Sequence, residues 1–404
     1  MLERDPLDQI SFSIAWPPTT TFGAGSVTSL GNKAKTRGAR RALLVTDAGL
    51  VRIGLAEQVA GHLRQAGIEV LIFGEVKPNP TMAEVTEGVS LLRRDGFDFL
   101  VALGGGSSID ASKVMSMQLL SNRSIEEIEA KGVDDAAGSP IGFMVVPSTS
   151  GTGSEATTGA LVKDSSGKKY LVRSTRCRPQ EAILDPALTV SVPARMTAAT
   201  GMDAFIHALG SYTNAQVNPI GDLCAQEAIR LVNGNLLSAI EDGRNLQARS
   251  AMMLASHLAG IAISMKGNDA IHGLSTAVES MIDCTHGESL SALMPHVLRF
   301  NCATAAPRYA NIARLMGVQT GKGGDESVST GSCPEAEVRL AEAGVEAMVA
   351  LRDRAGTCSH LAELGIRPDM LDRLTALASK GRSTQINCKR PSDAQIRQLY
   401  EAAL

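Results

Sequence analysis

Residues 99–108 read Phe99-Leu100-Val101-Ala102-Leu103-Gly104-Gly105-Gly106-Ser107-Ser108, five uninterrupted apolar residues that run into three glycines and two serines. An apolar run without alternation reads as a strand covered on both faces, and a helix is expected to begin near Ser108. Strand, glycine turn and helix together suit a phosphate. Glycines let the backbone approach a pyrophosphate closely, and a helix N-terminus offers free N–H groups and a partial positive charge. Three glycines also make a plain tight turn, and their spacing is not Gly-x-Gly-x-x-Gly, so the turn alone leaves both readings open.

Working outward, the same alternation continues. Ala42–Thr46 is a short apolar run ending at Asp47, a helical stretch covers Leu55–Ala66, and Val70–Phe73 is closed by Lys77-Pro78-Asn79-Pro80. A further helix is predicted over Met82–Arg94 and a strand over Ile141–Pro147. Apolar strands separated by helices are the pattern of a doubly wound parallel sheet, so residues 1–190 are read as an α/β dinucleotide-binding domain. After Asp185-Pro186 the character changes. Apolar residues recur at helical spacing, as at Leu223, Ala228 and Leu231, and again at Met252, Leu254, Leu258 and Ile261. Residues 191–404 are therefore read as an all-α domain. Thr320–Glu335, rich in Gly and Ser, is expected to be a mobile surface loop.

Composition excludes several classes. The chain has 404 residues, 44% hydrophobic and 20% charged, with a formal net charge of -3 and 3% aromatic residues. No basic, aromatic-interleaved surface for a nucleic acid is expected. No apolar run is long enough to span a membrane, and the start, MLERDPLDQISFS, lacks the features of a signal peptide. Seven scattered cysteines without a C-x-x-C pair fit reduced thiols in a cytoplasm.

Three polar groupings stand out as candidate chemistry. After the Ile141–Pro147 strand comes Ser148-Thr149-Ser150-Gly151-Thr152-Gly153-Ser154-Glu155, whose hydroxyls and N–H groups suit diphosphate or ribose contacts; a helix cap accounts for one or two of them. Asp47, at another strand end, can accept from a ribose 2′-hydroxyl and would repel a 2′-phosphate, which favours NAD(H) over NADP(H); a cap aspartate is the alternative. The segment Thr200–His207 is expected to open a helix, placing Asp203 and His207 four apart on one face. With His272 and His286 these make one carboxylate and three imidazoles, a donor set for Zn²⁺ or Fe²⁺. An Asp–His pair at this spacing is also an ordinary local ion pair. His257 and His296 remain rival ligands on chemistry alone, while His62 and His360 look like solvent-facing helix positions.

These segments resemble, in order and spacing, the iron-containing (group III) alcohol dehydrogenase family. The likeness runs through Phe22–Ser26, Val45-Thr46-Asp47, Lys77–Pro80, Gly104–Ser107 with Asp110 and Lys113, Thr149–Glu155 and Asp185-Pro186. It continues through Ala199–Ala204 with His207, His272-Gly273, His286-Gly287 and Leu293–His296. The resemblance implies a dehydroquinate synthase-like fold, an α/β nucleotide-binding domain followed by a helical one, with the active site in the cleft between them. It implies a metal-dependent, NAD(P)-dependent oxidoreductase that reduces a small aldehyde to a primary alcohol or the reverse. Asp203, His207, His272 and His286 would be the ligands of Fe²⁺ or Zn²⁺. Gly104, Gly105, Gly106, Ser107, Asp110, Ser148, Thr149, Thr152 and Lys169 would join Asp47 at the cofactor. A cytoplasmic homo-oligomer, a dimer or larger, is expected, with no nucleic-acid or membrane partner.

Two departures bear on the chemistry. Many relatives carry a further histidine four residues after the third ligand; here the position is Thr276, counted with the catalytic set, where a threonine either passes a proton through water or makes room for a larger substrate. A basic group, Lys168, Lys169, Arg173, Arg176 and Arg178 with Lys266, reads as a solvated face or as an anchor for an anionic aldehyde such as phosphonoacetaldehyde or succinic semialdehyde. The competing readings are a metal-independent enzyme of the maleylacetate-reductase type, a sugar-phosphate lyase of the dehydroquinate-synthase type, and a nucleotide-binding module without activity.

Overall fold

The computed structural model describes residues 11–14, 16–121, 123–132, 141–319 and 334–404. The stretch expected as a mobile loop lies, from Thr320 to Cys333, outside the described residues. The chain falls into two compact units, one of residues 15–192 and 243–264, the other of residues 1–14, 193–242 and 265–404.

In the first unit the strands are β1 (Thr19–Phe22), β2 (Arg41–Asp47), β3 (Glu69–Val76), β4 (Phe99–Gly104), β5 (Gly142–Pro147), β6 (Gly159–Lys163), β7 (Lys169–Arg173) and β8 (Glu181–Leu184). Six form a parallel sheet in the order β1-β8-β5-β4-β2-β3. Strand β4 is buried at every position, as its unbroken apolar run requires at the centre of a covered sheet. Its residues alternate between two cores. Leu100 and Ala102 join Leu43, Val45 and Val145 on one face, while Phe99, Val101 and Leu103 join Ala42, Leu44 and Val146 on the other. The helices α1 (Leu30–Thr36), α2 (Ala48–Arg52), α3 (Leu55–Gln65), α4 (Met82–Arg94), α5 (Gly106–Leu120) and α6 (Ile125–Lys131) complete the α/β pattern. The predicted strands and helices are all present. The antiparallel hairpin β6–β7 and the strands β1 and β8 were not legible, because each is only four or five residues long.

The rest of the chain is helical: α7 (Ala194–Thr213), α8 (Pro219–Glu241), α9 (Leu246–Lys266), α10 (Ala270–Met281), α11 (His286–Cys302), α12 (Ala306–Leu315), α13 (Pro334–Ala355), α14 (Leu371–Ala378), α15 (Arg382–Gln385) and α16 (Asp393–Ala403). Thr200–His207 does not open a helix, as expected from its sequence, but lies inside α7, which begins six residues earlier after Pro193. Proline just before the first turn costs no hydrogen bond, so the helix extends back to it. No helix among the described residues is long and apolar enough to cross a membrane.

Helix α9 belongs to the α/β unit through Ser264, and two glycines explain how it packs there. Gly153, at φ +58, and Gly260 on α9 meet backbone to backbone: a Cβ on Gly260 would lie 2.3 Å from the Gly153 carbonyl oxygen. Next to them Glu155 Oε1 lies 3.0 Å from His257 Nδ1, and His257 Nε2 lies 3.1 Å from Thr20 Oγ1. The Ser148–Glu155 loop is thus clamped to α9. Gly260→Ala is expected to cost about 1–3 kcal/mol, the usual penalty of overpacking against backbone that cannot retreat. A thermal or urea midpoint equal to the parent's would show that the clamp is looser than this contact implies.

Candidate functional site

The glycine turn is built where β4 ends. Gly104 has φ +145, a conformation side chains rarely adopt, and a Cβ there would lie 2.6 Å from Ser108 Oγ. Gly105 precedes α5, whose first turn carries neither an acidic residue nor a side-chain cap, leaving its N–H groups for an anion. Because β4 and β5 pair as Gly104↔Pro147, the turn and the following polar loop meet: Ser148 N donates to Gly104 O (2.9 Å). A Cβ on Gly106 would lie 2.8 Å from the Thr152 methyl. Gly104 to Ser107, Ser148, Thr149 and Thr152 are therefore one neighbourhood. Asp47 stands at the adjacent end of β2, and its Oδ1 accepts from Gly49 N (2.8 Å) and Leu50 N (3.0 Å), so it does cap α2. Its Oδ2 faces the turn, 3.7 Å from where a Cβ on Gly104 would sit.

Asp110 and Lys169 are placed differently. Asp110 accepts from Ser154 Oγ and from Leu161 N (2.8 Å), so both its oxygens tie α5 to the polar loop and to β6. Burial pushes its carboxyl up, opposed by Lys113, Ser154 and Leu161. Lys113, fully buried, has four oxygens of Ser154, Thr157 and Gly159 within 3.0 Å. This pair shapes the loop from within. Lys169 stands on the hairpin, opposite Lys163.

The second site lies in the helical unit. Asp203 and His207 are one turn apart in the buried middle of α7, His272 is in the first turn of α10 and His286 is the first residue of α11. Their candidate ligand atoms all lie within 4.8 Å of one another. Asp203 Oδ1 is 3.3 Å from His207 Nδ1 and 3.7 Å from both His272 Nε2 and His286 Nε2. The His207 and His272 rings stack at 4.4 Å. Glycines let these helices pack closely. A Cβ on Gly287 would lie 2.0 Å from Ala199 O of α7, and one on Gly273 would lie 2.1 Å from Thr384 Oγ1 of α15. Gly287 directly follows His286, so it brings the start of α11 onto the helix that carries Asp203, whereas Gly273 brings α10 onto α15.

The donor set fits a cation. Asp203 Oδ1 and His272 Nε2 are buried without a hydrogen-bond partner, a costly arrangement for polar atoms that a divalent ion would satisfy. Burial alone would push the Asp203 carboxyl up, but His207, His286 and His272 hold it down to about 2. The cluster opens at one member: the His286 side chain is 33% exposed, the Asp203 and His272 side chains 4%.

Of the rival histidines, His257 is bound to Glu155 in the other unit, and His296 lies ten residues along α11 from His286, outside the cluster. His62 is only partly exposed, with Nε2 buried, and His360 precedes a short 3₁₀ turn and lies outside any α-helix. Thr276 is exposed on α10 and its hydroxyl donates to His272 O (2.8 Å). Lys266 is buried and ion-paired with Asp222, which also accepts from Arg308 (3.0 Å). Burial pulls the Lys266 ammonium down to about 8 although Asp222 opposes this. Lys168 lies over the Tyr170 ring and beside Glu129, and Arg178 donates to Trp16 O. Lys168, Arg178 and Lys266 are thus engaged with separate partners. Sequence reasoning missed Glu279, which bonds His286 Nδ1, and Asp269, whose Oδ1 is 3.9 Å from His272 Nδ1. A signal existed for the first, since Glu279 follows His272 by seven residues, two turns along the same helix face.

Residues 17–186 match the family model of the iron-containing alcohol dehydrogenases, and residues 197–404 match that of the Fe-containing alcohol dehydrogenase family, C-terminal. The chain is 35% identical to the NAD-dependent methanol dehydrogenase of Bacillus methanolicus, over 96% of this chain and 98% of that protein. It is 32% identical to the 1,3-propanediol dehydrogenase of Klebsiella pneumoniae, over 97% and 98% respectively. A solved 1,3-propanediol oxidoreductase superposes with a TM-score of 0.90 at 31% identity, covering 98% of this chain and all of the other. Matched in both halves and along nearly its whole length, this chain belongs to the iron-containing alcohol dehydrogenase family.

Proposed function

We propose that the chain is an NAD(H)-dependent reductase of a small aldehyde, working also in reverse on the primary alcohol, with one Fe²⁺ or Zn²⁺ held by Asp203, His207, His272 and His286. The observation that carries this reading is the convergence of four donor atoms within 4.8 Å, two of them buried without a hydrogen-bond partner. Three imidazoles and one carboxylate suit either ion. When bound, the ion supplies Lewis acidity and the dinucleotide supplies the hydride.

The chain's own residues bind and orient. The backbone of Gly104 to Ser107 and the start of α5 would take the diphosphate, with Ser148, Thr149 and Thr152 beside it. Asp47 would accept from the ribose through Oδ2, since Oδ1 already caps α2. Asp203 brings one negative charge to the donor set, and the partial exposure of His286 leaves that side open to substrate. Thr276 Oγ1 holds its proton on the His272 carbonyl, so it would pass a proton only by exchanging that bond with water. With Lys266 tied to Asp222, the substrate proposed is a short aldehyde without an anionic anchor.

The reading is tested with the purified chain, NADH and a panel of short aldehydes that includes phosphonoacetaldehyde and succinic semialdehyde. NADH oxidation on neutral aldehydes, lost on chelation and restored by Fe²⁺ or Zn²⁺, is the expected result. His272→Ala should nearly abolish turnover. Activity that survives chelation would instead indicate a maleylacetate-reductase type of enzyme, and turnover without net NADH change a lyase. Higher kcat/KM on the charged aldehydes would overturn the substrate assignment. The same panel checks Asp47. Asp47→Gly should raise the NADPH-to-NADH ratio of kcat/KM by roughly tenfold or more, as removing a carboxylate that opposes a 2′-phosphate implies, with only a few tenths of a kcal/mol lost from the cap. An unchanged ratio would remove Asp47 from the cofactor site.

A further inference from the structure

Glu279 is 6% exposed, and its Oε1 meets side chains of both α10 and α11. It bonds His286 Nδ1 on α11 and accepts from Ser275 Oγ (2.9 Å) on its own helix, while Ser289 Oγ lies 3.4 Å away. Ser275 Oγ and Ser289 Oγ are themselves 2.7 Å apart, and Ser289 Oγ lies 2.9 Å from the His286 carbonyl oxygen. With the ring N–H on Nδ1, the Glu279 carboxylate accepts it. Nε2 then carries a lone pair, and it is the atom that faces Asp203 Oδ1 at 3.7 Å.

We propose that Glu279 is a positioning residue of the metal centre, which selects the His286 tautomer, fixes the ring with Nε2 toward Asp203 and makes that nitrogen a stronger donor. This rests on the reading of Asp203, His207, His272 and His286 as ligands. The geometry separates the two carboxylates that approach histidines of the cluster from behind. Asp269 is 3.9 Å from His272 Nδ1, beyond hydrogen-bond distance, and spends its Oδ1 on Ile271 N as the cap of α10. Glu279 makes the bond. It also acts on the one partly exposed histidine of the set, whose ring has the least packing to hold it. A carboxylate behind a ligating imidazole both orients it and raises its basicity, and loss of such a partner typically weakens the ion about 10–100-fold.

The test measures affinity for Zn²⁺ and Co²⁺ by competition with a chromophoric chelator on the full-length, metal-free protein. The variants are Glu279→Gln, Glu279→Ala, His286→Ala and the double variant Glu279→Gln/His286→Ala. The parent should bind one ion, and each Glu279 variant should bind it about 10–100-fold more weakly while its circular dichroism stays that of the parent. If Glu279→Ala fails to fold, the near-isosteric Glu279→Gln carries the measurement. In the His286→Ala background the Glu279→Gln change should cause no further loss, because the partner through which it acts is gone. Parent-like affinity in Glu279→Gln, or an equal loss with and without His286, would overturn the proposal while leaving the metal centre intact. A parent protein that binds no ion would instead overturn the ligand reading itself.

Discussion

The helical unit is organised around an electrostatic problem at Asp203. A carboxylate in the buried middle of α7, with one oxygen lacking any hydrogen bond, costs several kcal/mol unless positive charge is brought to it. The chain brings three imidazoles from three places: the next turn of α7, the first turn of α10 and the first residue of α11. Such a convergence demands that helices approach closer than side chains normally allow. Gly287 against Ala199 meets that demand between α11 and α7, directly after His286. At that contact ligand geometry and helix packing are one constraint. A Cβ at Gly287 would hold the start of α11 away from the helix that carries Asp203.

A comparable arrangement of buried polar groups shapes the α/β unit, for a different end. No side chain caps the start of α5 at the glycine turn, and the loop beside it is fixed by Lys113 and Asp110. Lys113 and Asp110 gather Ser154, Thr157, Gly159 and Leu161 from below. The Gly153–Gly260 contact and the Glu155–His257 bond hold the same loop to α9. A buried charge network of this kind is costly if half satisfied and rigid if complete. Here it fixes a loop in which Thr149 and Thr152 stay partly exposed.

Legibility followed physical range. The strands and helices around β4 could be read because a buried parallel sheet needs uninterrupted apolar runs and its helices need a periodic face. The short β6–β7 hairpin and the strands β1 and β8 carried too little pattern to be seen. Among site residues, Asp203 and His207 were linked by helix geometry alone, whereas their meeting with His272 and His286 is non-local. Asp110 was grouped with the cofactor residues by the family resemblance, and in the fold its oxygens accept from Ser154 and Leu161. Lys266, six residues before His272, looked available to a substrate, and its partner Asp222 lies 44 residues away. Distances of this kind leave no local signature.

Periodicity was enough to distinguish the α/β from the helical class and to place the glycine turn at a strand end, while the quoted motifs carried the resemblance to the family. They also supplied the chemical types able to hold a cation, since only a few side chains have the required lone pairs. Which of seven histidines assemble, which carboxylate stands behind His286 and which lysine is already neutralised were decided by tertiary structure. The physical reason is that a donor's role depends on what lies within a few ångströms of it. In this chain those neighbours come from different helices, whose approach is a property of the packed fold and not of any window of sequence.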